Sequence, residues 1–388
     1  PDMIMMGGGN PGHLAEAEAV FRRHLEAVVA DPQRRHRLFG LYQPTAGEYG
    51  FRQTVAEFLR NQFGWSLKAE NIAISNGSQA AFFILLNMFA GEMPDGSRRS
   101  IHLPLTPEYL GYADAGLGDS FFSATRPEME LLDDRLFKYR VDFRDLVLDE
   151  SVGALCASRP TNPTGNVLTD EEVAHLDQIA RQRNIPLILD GAYGLPFPNI
   201  LFTDATPHWN ENTILALSLS KLGMPGIRTG IIVAREDIIE AYASANGIIN
   251  LACGNMGPAI MQDMFRSGEI LDLTRKHITP FYRQRAMDTV GWLRDSLGDV
   301  PCRIHKPEGA FFLWLWFEDL PISSAEFYLR LKKRGVLVVP GHHCFFGLEE
   351  DWPHRRECIR VSYVQDAQSV RKGVEIICDE ARRVYSGV

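Results

Sequence analysis

The sequence predicts an α/β protein with a mostly parallel central sheet flanked by helices, followed by a smaller α+β domain at the C-terminus. Two observations lead to this prediction. Short apolar runs alternate with helical patterns through the middle of the chain, which is typical of strand–helix–strand units that build a parallel sheet. The chain of 388 residues also exceeds the size of one ordinary hydrophobic core, so about two domains are expected.

The elements follow from these patterns in chain order. The predicted strands of the large domain are 72–75, 101–103, 121–124, 153–157, 187–189, 214–219 and 230–233. The clearest helices are 55–63 and 170–183, and a long helical region from Asn255 toward Gly298 connects to the small domain. That domain begins with 303–317, continues through 324–333 and 336–339, and closes with the helix 366–385. The predicted boundaries are 1–48 for an N-terminal segment, 49–285 for the large domain and 286–388 for the small domain.

Composition excludes several classes of partner. The formal net charge of −9 argues against nucleic acid and anionic membranes, and no apolar run approaches the ~18 residues that span a bilayer. The six cysteines lack paired spacing and read as reduced core residues of a cytoplasmic protein. His342, His343 and Cys344 are adjacent in sequence and rarely converge on one ion, so no metal is expected. Because the chain begins with Pro1 and not methionine, a further N-terminal segment is expected.

Lys221 stands where an apolar run opens into a glycine–proline turn. Ser218 precedes it and Arg228 follows it, a combination suited to an anion. A lysine held at the end of a buried strand loses hydration, which lowers the pKa of its amine and makes it a nucleophile toward an aldehyde. A solvated loop lysine after an edge strand is the alternative.

Three other segments carry candidate polar groups at strand ends. Asn162 follows the strand 153–157, Asp190 and Tyr193 follow 187–189, and the turn Gly77–Ser78–Gln79 joins the strand 72–75 to an apolar helix. Each signal has an ordinary structural interpretation as well. Aspartates cap helices, Asn-Pro-Thr-Gly forms β-turns, glycine–serine starts helices, and tyrosines such as Tyr109 and Tyr193 pack in cores.

The ordered set of these residues resembles the class I and II aminotransferases, which are fold-type I enzymes that use pyridoxal 5′-phosphate (PLP). The resemblance covers essentially the whole chain. It implies that Lys221 holds PLP covalently and moves a proton, and that Asp190 keeps the ring nitrogen protonated. The other expected cofactor contacts are Asn162 and Tyr193 at the ring oxygen, Tyr109 against the ring face, and Gly77, Ser78, Gln79, Ser218 and Arg228 at the phosphate.

The same resemblance implies residues that bind substrate. Arg360 is expected to hold the α-carboxylate of the amino acid as a bidentate fork, with Asn162 and the N–H of Gly9 nearby. Tyr42 matches a tyrosine that reaches the phosphate of the neighbouring subunit, which implies a homodimer with shared active sites and a role for the N-terminal segment. An arginine paired on an exposed strand and a solvated loop tyrosine are the alternatives.

The turn Gly7–Gly12 also satisfies G-x-G-x-x-G, the spacing of dinucleotide-binding turns. A dinucleotide fold needs a strand that ends at an acid about 20 residues further on. The segment that leads to Asp31 has a helical pattern and runs into Pro32, so this interpretation is disfavoured.

Longer strings, such as Lys306 to Phe317 and Val338 to Phe346, resemble aminotransferases that act on small or branched apolar amino acids and 2-oxo acids. Since no second arginine matches a side-chain carboxylate, apolar amino acids are expected to be preferred over dicarboxylic ones. Phe345, Phe346 and Tyr112 are the candidate wall residues. A carbon–sulfur β-lyase on the same fold stays open, and a PLP-binding transcription regulator would need an attached DNA-binding module that the sequence does not contain.

Overall fold

The computed structural model describes residues 3–132 and 135–387. Its α-helices are α1 (Ala15–Ala30), α2 (Pro32–Gly40), α3 (Tyr49–Phe63), α4 (Ser78–Phe89), α5 (Asp170–Gln182), α6 (Glu236–Asn250), α7 (Met256–Ser267), α8 (Glu269–Leu273), α9 (Thr279–Leu297), α10 (Ser324–Lys333) and α11 (Ala367–Tyr385). Its strands are β1 (Ile4–Met5), β2 (Ile72–Ser75), β3 (Gly91–Glu92), β4 (Arg98–Leu103), β5 (Phe122–Ala124), β6 (Glu128–Leu131), β7 (Leu136–Arg140), β8 (Val152–Ser158), β9 (Leu187–Asp190), β10 (Thr213–Ser218), β11 (Gly230–Val233), β12 (Cys302–His305), β13 (Phe312–Phe317), β14 (Val336–Leu337), β15 (Val339–Pro340) and β16 (Cys358–Ser362).

The large domain is built on a mostly parallel sheet, as predicted. Its strand order is β2-β11-β10-β9-β8-β4-β3, with β5 paired to β4. The strands β5, β4, β8, β9 and β10 run parallel, whereas β11 is antiparallel to both of its neighbours. All seven predicted strands are present. They read as continuous apolar runs because both faces of the sheet are covered, and every residue of β8 and β9 is buried.

The two faces of this sheet pack into separate cores. Along β2, Ile72 and Ile74 belong to one core and Ala73 to the other, as the two-residue period of a strand requires. The helices α4 and α6 cover the face of Ala73, and α5 packs on β8 and β9 from the opposite side. The helix α5 starts with a capping box between Thr169 and Glu172.

The small domain contains a six-stranded sheet in the order β15-β16-β13-β12-β7-β6. Its last two strands, β7 and β6, come from residues 128–140, far upstream, where no strand is predicted from the sequence. Strand β1 pairs in parallel with β14, so the N-terminal segment is attached to the small-domain side of the fold. The predicted domain boundaries stay a prediction, but residues 128–140 pair with the C-terminal strands and not with the central sheet.

The helical connection between the domains is interrupted, in contrast to the single region predicted. Helix α7 ends at Gly268, which has a φ of +77° that favours glycine. A π-helical turn at Thr274–Ile278 then precedes α9, whose second residue, Pro280, has no backbone N–H to donate. Helix α9 packs against α11, which buries one apolar stripe along its length.

The interpretation of the N-terminal glycine turn is settled by α1 and α2. The residues before Asp31 are helical, and the Asp31 carboxylate accepts hydrogen bonds from the backbone N–H groups of Gln33 (2.8 Å) and Arg34 (3.0 Å). Asp31 therefore caps a helix and does not end a strand, so the dinucleotide-fold requirement is not met.

Across the described ranges, no helix has the length and apolar character to span a bilayer. Within the same ranges, no group of three or more His, Cys, Asp and Glu side chains is arranged to hold a metal ion. All six cysteines are buried and unpaired, as predicted.

Candidate active site

The carboxyl ends of the parallel strands meet at one edge of the central sheet. Ser158 at the end of β8 is in register with Asp190 at the end of β9, and Asp190 is in register with Ala216 near the end of β10. A cavity of about 370 Å³ lies at this edge, where ligands bind in open α/β sheets. Its lining residues are Gly9, Asn10, Ser78, Gln79, Phe82, Tyr109, Leu110, Ser158, Asn162, Asp190, Ala192, Tyr193, Ser218, Ser220, Lys221, Pro225, Arg228 and Arg360.

One end of the cavity is formed by the N-terminus of α4. Gly77 precedes this helix with a φ of +89°, and no side chain caps it. A Cβ atom on Gly77 would overlap the guanidinium of Arg228, so glycine is what lets the arginine approach the helix end. Backbone N–H groups and a guanidinium thus face the same space, which is the chemistry of an anion site.

The antiparallel strand β11 brings Arg228 to this position. Ser218 is paired with Gly230, and Gly230 is paired with Ser75, so the ends of β10 and β2 are joined through the start of β11. A Cβ atom on Gly230 would lie 2.9 Å from the N atom of Ser78, which explains the glycine. Arg228 has a left-handed backbone with a φ of +47°, and its Nη1 donates to Ser220 Oγ (3.2 Å).

Lys221 projects into the cavity from the turn after β10. Its Nζ donates a hydrogen bond to the carbonyl of Gly9 (2.6 Å) and lies 5.4 Å from the ring centroids of Tyr193 and Phe311. Burial, together with the nearby charge of Arg360, lowers the pKa of the Lys221 amine to about 8. The lysine is half-buried, and its lowered pKa agrees in direction with the predicted partial loss of hydration, while its role in the site stays a prediction.

Asp190 is buried at the floor of the cavity. Its carboxylate accepts hydrogen bonds from the hydroxyl of Tyr112 and from the backbone N–H of Ala192 (2.8 Å). Burial raises the pKa of this carboxyl group, while those hydrogen bonds and the positive charge of Lys221 oppose the rise. A proton can therefore be shared between Asp190 and a basic nitrogen placed above it.

Arg360 reaches the cavity from β16 of the small domain. Its Nη1 donates to Asn162 Oδ1 (2.6 Å) and its Nη2 to the carbonyl of Gly7 (2.7 Å), while the guanidinium lies 4.1 Å from the ring centroid of Phe312. The Nε atom is buried without a hydrogen-bond partner among the described residues. Arg360 and Asn162 are therefore brought together across the two domains, with one donor of the arginine left unsatisfied.

The aromatic side of the cavity is formed by Tyr109 and Tyr193. Tyr109 packs edge-to-face on Tyr112, with ring centroids 5.1 Å apart, and Tyr193 packs in the same way on Phe311. Gln79 also lines the cavity, and its Nε2 donates to the carbonyl of Gly111 (2.9 Å) just beyond Tyr109. This hydrogen bond links the N-terminal end of α4 to the turn that carries Tyr109.

Among the candidate cofactor and substrate contacts, Tyr42 and Gly77 are not lining residues of the cavity, but Gly77 directly precedes the lining residue Ser78, whereas Tyr42 lies elsewhere. It lies between α2 and α3 with 86% of its surface exposed. Its role at the phosphate of a neighbouring subunit stays a prediction.

The predicted wall residues are wrong. Phe345 is fully buried against Trp352, the hydroxyl of Tyr112 is bound to Asp190, and Phe346 packs on Phe122. Their aromatic character reflects packing in cores and not contact with a ligand. The cavity is also lined by four apolar residues that were not predicted, Phe82, Leu110, Ala192 and Pro225.

Sequence reasoning also missed polar residues of the site. Asn10 and Ser220 line the cavity, and each lies within a motif that was recognised for a neighbouring residue. Glu108 is buried directly behind Tyr109 and Ser158, where its carboxylate accepts from both backbone N–H groups. The acidic residue next to Tyr109 was visible in the sequence, but nothing there indicated that it is buried.

The chain belongs to the aminotransferase class I and II family, whose model matches residues 1–377. It is 48% identical to the valine–pyruvate aminotransferase of Escherichia coli (strain K12) over 386 residues, which is 100% of this chain and 92% of the relative. The crystal structure of valine–pyruvate aminotransferase from Salmonella typhimurium LT2 is 47% identical, covers 100% of this chain and 97% of that one, and has a TM-score of 0.93.

A more distant structure shows how general the fold is. The kynurenine aminotransferase of Pyrococcus horikoshii, solved in complex with PMP, is 21% identical and has a TM-score of 0.80 over 99% of this chain and 91% of that one. The predicted fold class, a fold-type I aminotransferase fold with a mostly parallel sheet, is confirmed.

Proposed function

We propose that this aminotransferase uses PLP to exchange an amino group between L-valine and pyruvate, giving 3-methyl-2-oxobutanoate and L-alanine by a ping-pong reaction. The observation that carries the proposal is the convergence of Lys221, Asp190 and the uncapped end of α4 on one cavity. The choice of substrates is supported by the names of the two valine–pyruvate relatives, which are nearly half identical to this chain over its whole length.

The residues of the cavity fit PLP. The part of the cavity lined by Ser78, at the N-terminus of α4, and by Arg228 suits a phosphate, and Gly77 lets the arginine approach the helix end. Gln79 and Ser218 are further donors there. When bound, PLP supplies an aldehyde for the amine and an electron-withdrawing ring for the substrate carbanion. Tyr109 is proposed to face the ring, and Tyr193 and Asn162 to donate to its ring oxygen.

The proposed roles of the protein groups follow from their surroundings. Lys221, with a pKa lowered to about 8, is partly neutral at physiological pH and can both bond the cofactor and move the proton at the substrate Cα. Asp190 holds a proton at the ring nitrogen from its buried position. Arg360 is proposed to bind the α-carboxylate, with its guanidinium held by the hydrogen bond to Asn162, and the N–H of Gly9, another lining residue, is proposed as a further donor.

The preference for apolar substrates is supported by the charges in the cavity. Among its lining residues, the cations are Lys221, Arg228 and Arg360, and each already has a role in the proposal. A glutamate side chain would place a second carboxylate against apolar surface such as Leu110 and Tyr109. That costs several kcal/mol, enough to lower kcat/KM by about two decades.

The remaining features of the proposal concern assembly and location. A homodimer with Tyr42 donated to the neighbouring cofactor phosphate is supported by the exposure of that tyrosine. A cytoplasmic location is supported by six unpaired, buried cysteines.

The test is a comparison of kcat/KM for valine, alanine and glutamate with a saturating 2-oxo acid on purified holoenzyme. Valine and alanine should exceed glutamate by about a hundredfold. Glutamate equal to or better than valine would overturn the substrate assignment and leave the aminotransferase chemistry intact. Release of free ammonia and pyruvate from cystathionine, without dependence on a 2-oxo acid, would identify a β-lyase instead.

A further inference from the structure

Glu108 is a buried carboxylate behind the cavity, 1% exposed, and it is not among the lining residues. Its Oε1 accepts from the backbone N–H of Tyr109 (2.8 Å) and from the hydroxyl of Ser158, and its Oε2 accepts from the backbone N–H of Ser158 (2.9 Å). Its partners are thus two backbone amides and a hydroxyl, and not a cation. Both carboxylate oxygens are used to join two separate turns of the chain.

Those two turns carry opposite sides of the active site. Tyr109 presents the aromatic side of the cavity. Ser158 begins the turn that carries Asn162, and its carbonyl accepts from the hydroxyl of Thr161 (3.1 Å). The Glu108 carboxylate holds Tyr109 and Ser158 together through their backbone N–H groups. The distance between the Tyr109 ring and the Asn162 amide therefore depends on Glu108.

The backbone of Glu108 adds a link to the small domain. Its N–H donates to the carbonyl of Cys344 (2.9 Å), at the end of the segment that follows β15. Strand β15 is paired with β16, and Val339 of β15 is the pairing partner of Arg360 in β16. One residue therefore connects the turn of Tyr109, the turn of Asn162 and the part of the small domain next to the arginine.

The protonation of Glu108 is also coupled to the charge of Asp190 in the active site. Burial raises the pKa of Glu108 to about 7, its three donors oppose that rise, and the nearby charge of Asp190 adds to it. Two buried carboxyl groups lie close together here, and one of them is proposed to hold the proton at the cofactor ring.

We propose that Glu108 is a positioning residue of this active site, which holds Tyr109 and Asn162 at the separation that the reaction requires. This proposal rests on the proposed aminotransferase function. Glu108 touches neither cofactor nor substrate and acts through the two turns that it joins.

The substitution Glu108→Gln is a sharp test because it keeps the size of the side chain. Both oxygens of Glu108 accept a backbone N–H, so whichever way the glutamine amide is turned, its NH₂ group faces another donor. One of the two turns must then be released. Glu172 provides the matched control, because it is also buried and accepts two backbone N–H groups, from Val141 (3.0 Å) and Thr169 (2.8 Å), away from the cavity.

The experiment compares holoenzyme of the parent, Glu108→Gln and Glu172→Gln by Tm, by the absorption spectrum of bound PLP, and by kcat and KM. We expect both variants to lose stability to a similar extent. Glu108→Gln should lower kcat by roughly tenfold to a hundredfold, change KM for the amino donor by less than about threefold, and shift the absorption of the bound cofactor. Glu172→Gln should keep kcat within about twofold of the parent and leave the spectrum unchanged.

A kcat and a spectrum of Glu108→Gln that match those of Glu172→Gln would overturn the proposal and leave Glu108 with a role in stability alone. If Glu108→Gln does not fold, Ser158→Ala removes the hydroxyl donor and keeps both amides, and it should shift the spectrum and lower kcat by about threefold. Parent-like values for that variant would contradict the proposal. A parent that exchanges no amino group would refute the proposed function instead, and the spectra of bound PLP would still decide whether Glu108 positions the site.

Discussion

The reactivity of Lys221 toward aldehydes should report its environment directly. Burial and the charge of Arg360 lower the pKa of its amine to about 8, while Asp190 acts in the opposite direction. At pH 7.5 about a quarter of such an amine is neutral, against about one part in a thousand for a lysine with the ordinary pKa. Since the neutral amine is the nucleophile, addition of a small aldehyde at this pH should be more than about a hundredfold faster than at an equally accessible ordinary lysine.

The assay is pulsed reductive methylation of the apoenzyme with formaldehyde and cyanoborohydride between pH 6 and pH 10.5, read by peptide mass spectrometry. Exposed lysines such as Lys332, Lys333 and Lys372 provide references within the same molecule. Labelling should increase with pH, because deprotonation of the amine creates the nucleophile. For Lys221 it should reach half its maximum near pH 8 and then level off.

The variant Arg360→Gln separates the two causes. Loss of the nearby positive charge should move the midpoint for Lys221 to higher pH, but the midpoint should stay below that of the exposed lysines because burial is the larger cause. Labelling of Lys221 that follows the exposed lysines up to pH 10 would refute the reasoning, since it would mean that the amine is hydrated like any surface lysine.

Four further substitutions test the cofactor, substrate and stability roles of individual side chains. Lys221→Ala should remove the covalent PLP that borohydride traps, and PLP trapped at a different lysine would contradict the assignment. Asp190→Asn should leave PLP bound and the fold intact but lower kcat by about a hundredfold or more, whereas a rate within about tenfold of the parent would make Asp190 a structural residue. Arg360→Lys should raise KM for amino donors about tenfold or more with a smaller change in kcat, because a lysine cannot form the bidentate fork, and an unchanged KM would oppose this role. Lys138→Met should lower the free energy of unfolding by about 1–3 kcal/mol, because Glu308 stays buried and keeps only the partly exposed Lys306 as a cation. Denaturant unfolding of that variant and of Lys138→Met with Glu308→Gln should show partial recovery in the double variant, and a single-variant loss below about 1 kcal/mol would contradict this account.

Much of the large domain could be predicted because its signals are local. Strands covered on both faces are continuous apolar runs, and the helices between them show clear periodicity, so all seven strands and the helices α3 and α5 were found. The candidate site followed from the same property, since every group at the carboxyl end of a parallel strand is delivered to one edge.

The features that were missed depend on distant parts of the chain. Strands β6 and β7 carry charged residues among their apolar ones, and β12, which pairs with β7, lies more than 150 residues further on, so no local pattern reveals the pairing. Phe345 and Phe346 looked like pocket walls because aromatic residues line both pockets and cores, and sequence does not separate the two.

The order of the site residues along the chain is a consequence of the topology. The strands β4, β8, β9 and β10 are neighbours in the sheet in the same order as in the sequence, so the segments after them deliver Tyr109, Asn162, Asp190 and Lys221 side by side. Antiparallel β11 then returns the chain between β10 and β2, which places Arg228 against Gly77 although more than a hundred residues separate them. A chance set of strand-end residues would not need to follow this order. The sequence order was therefore informative where each single motif was weak, because one sheet topology dictates both the order and the geometry.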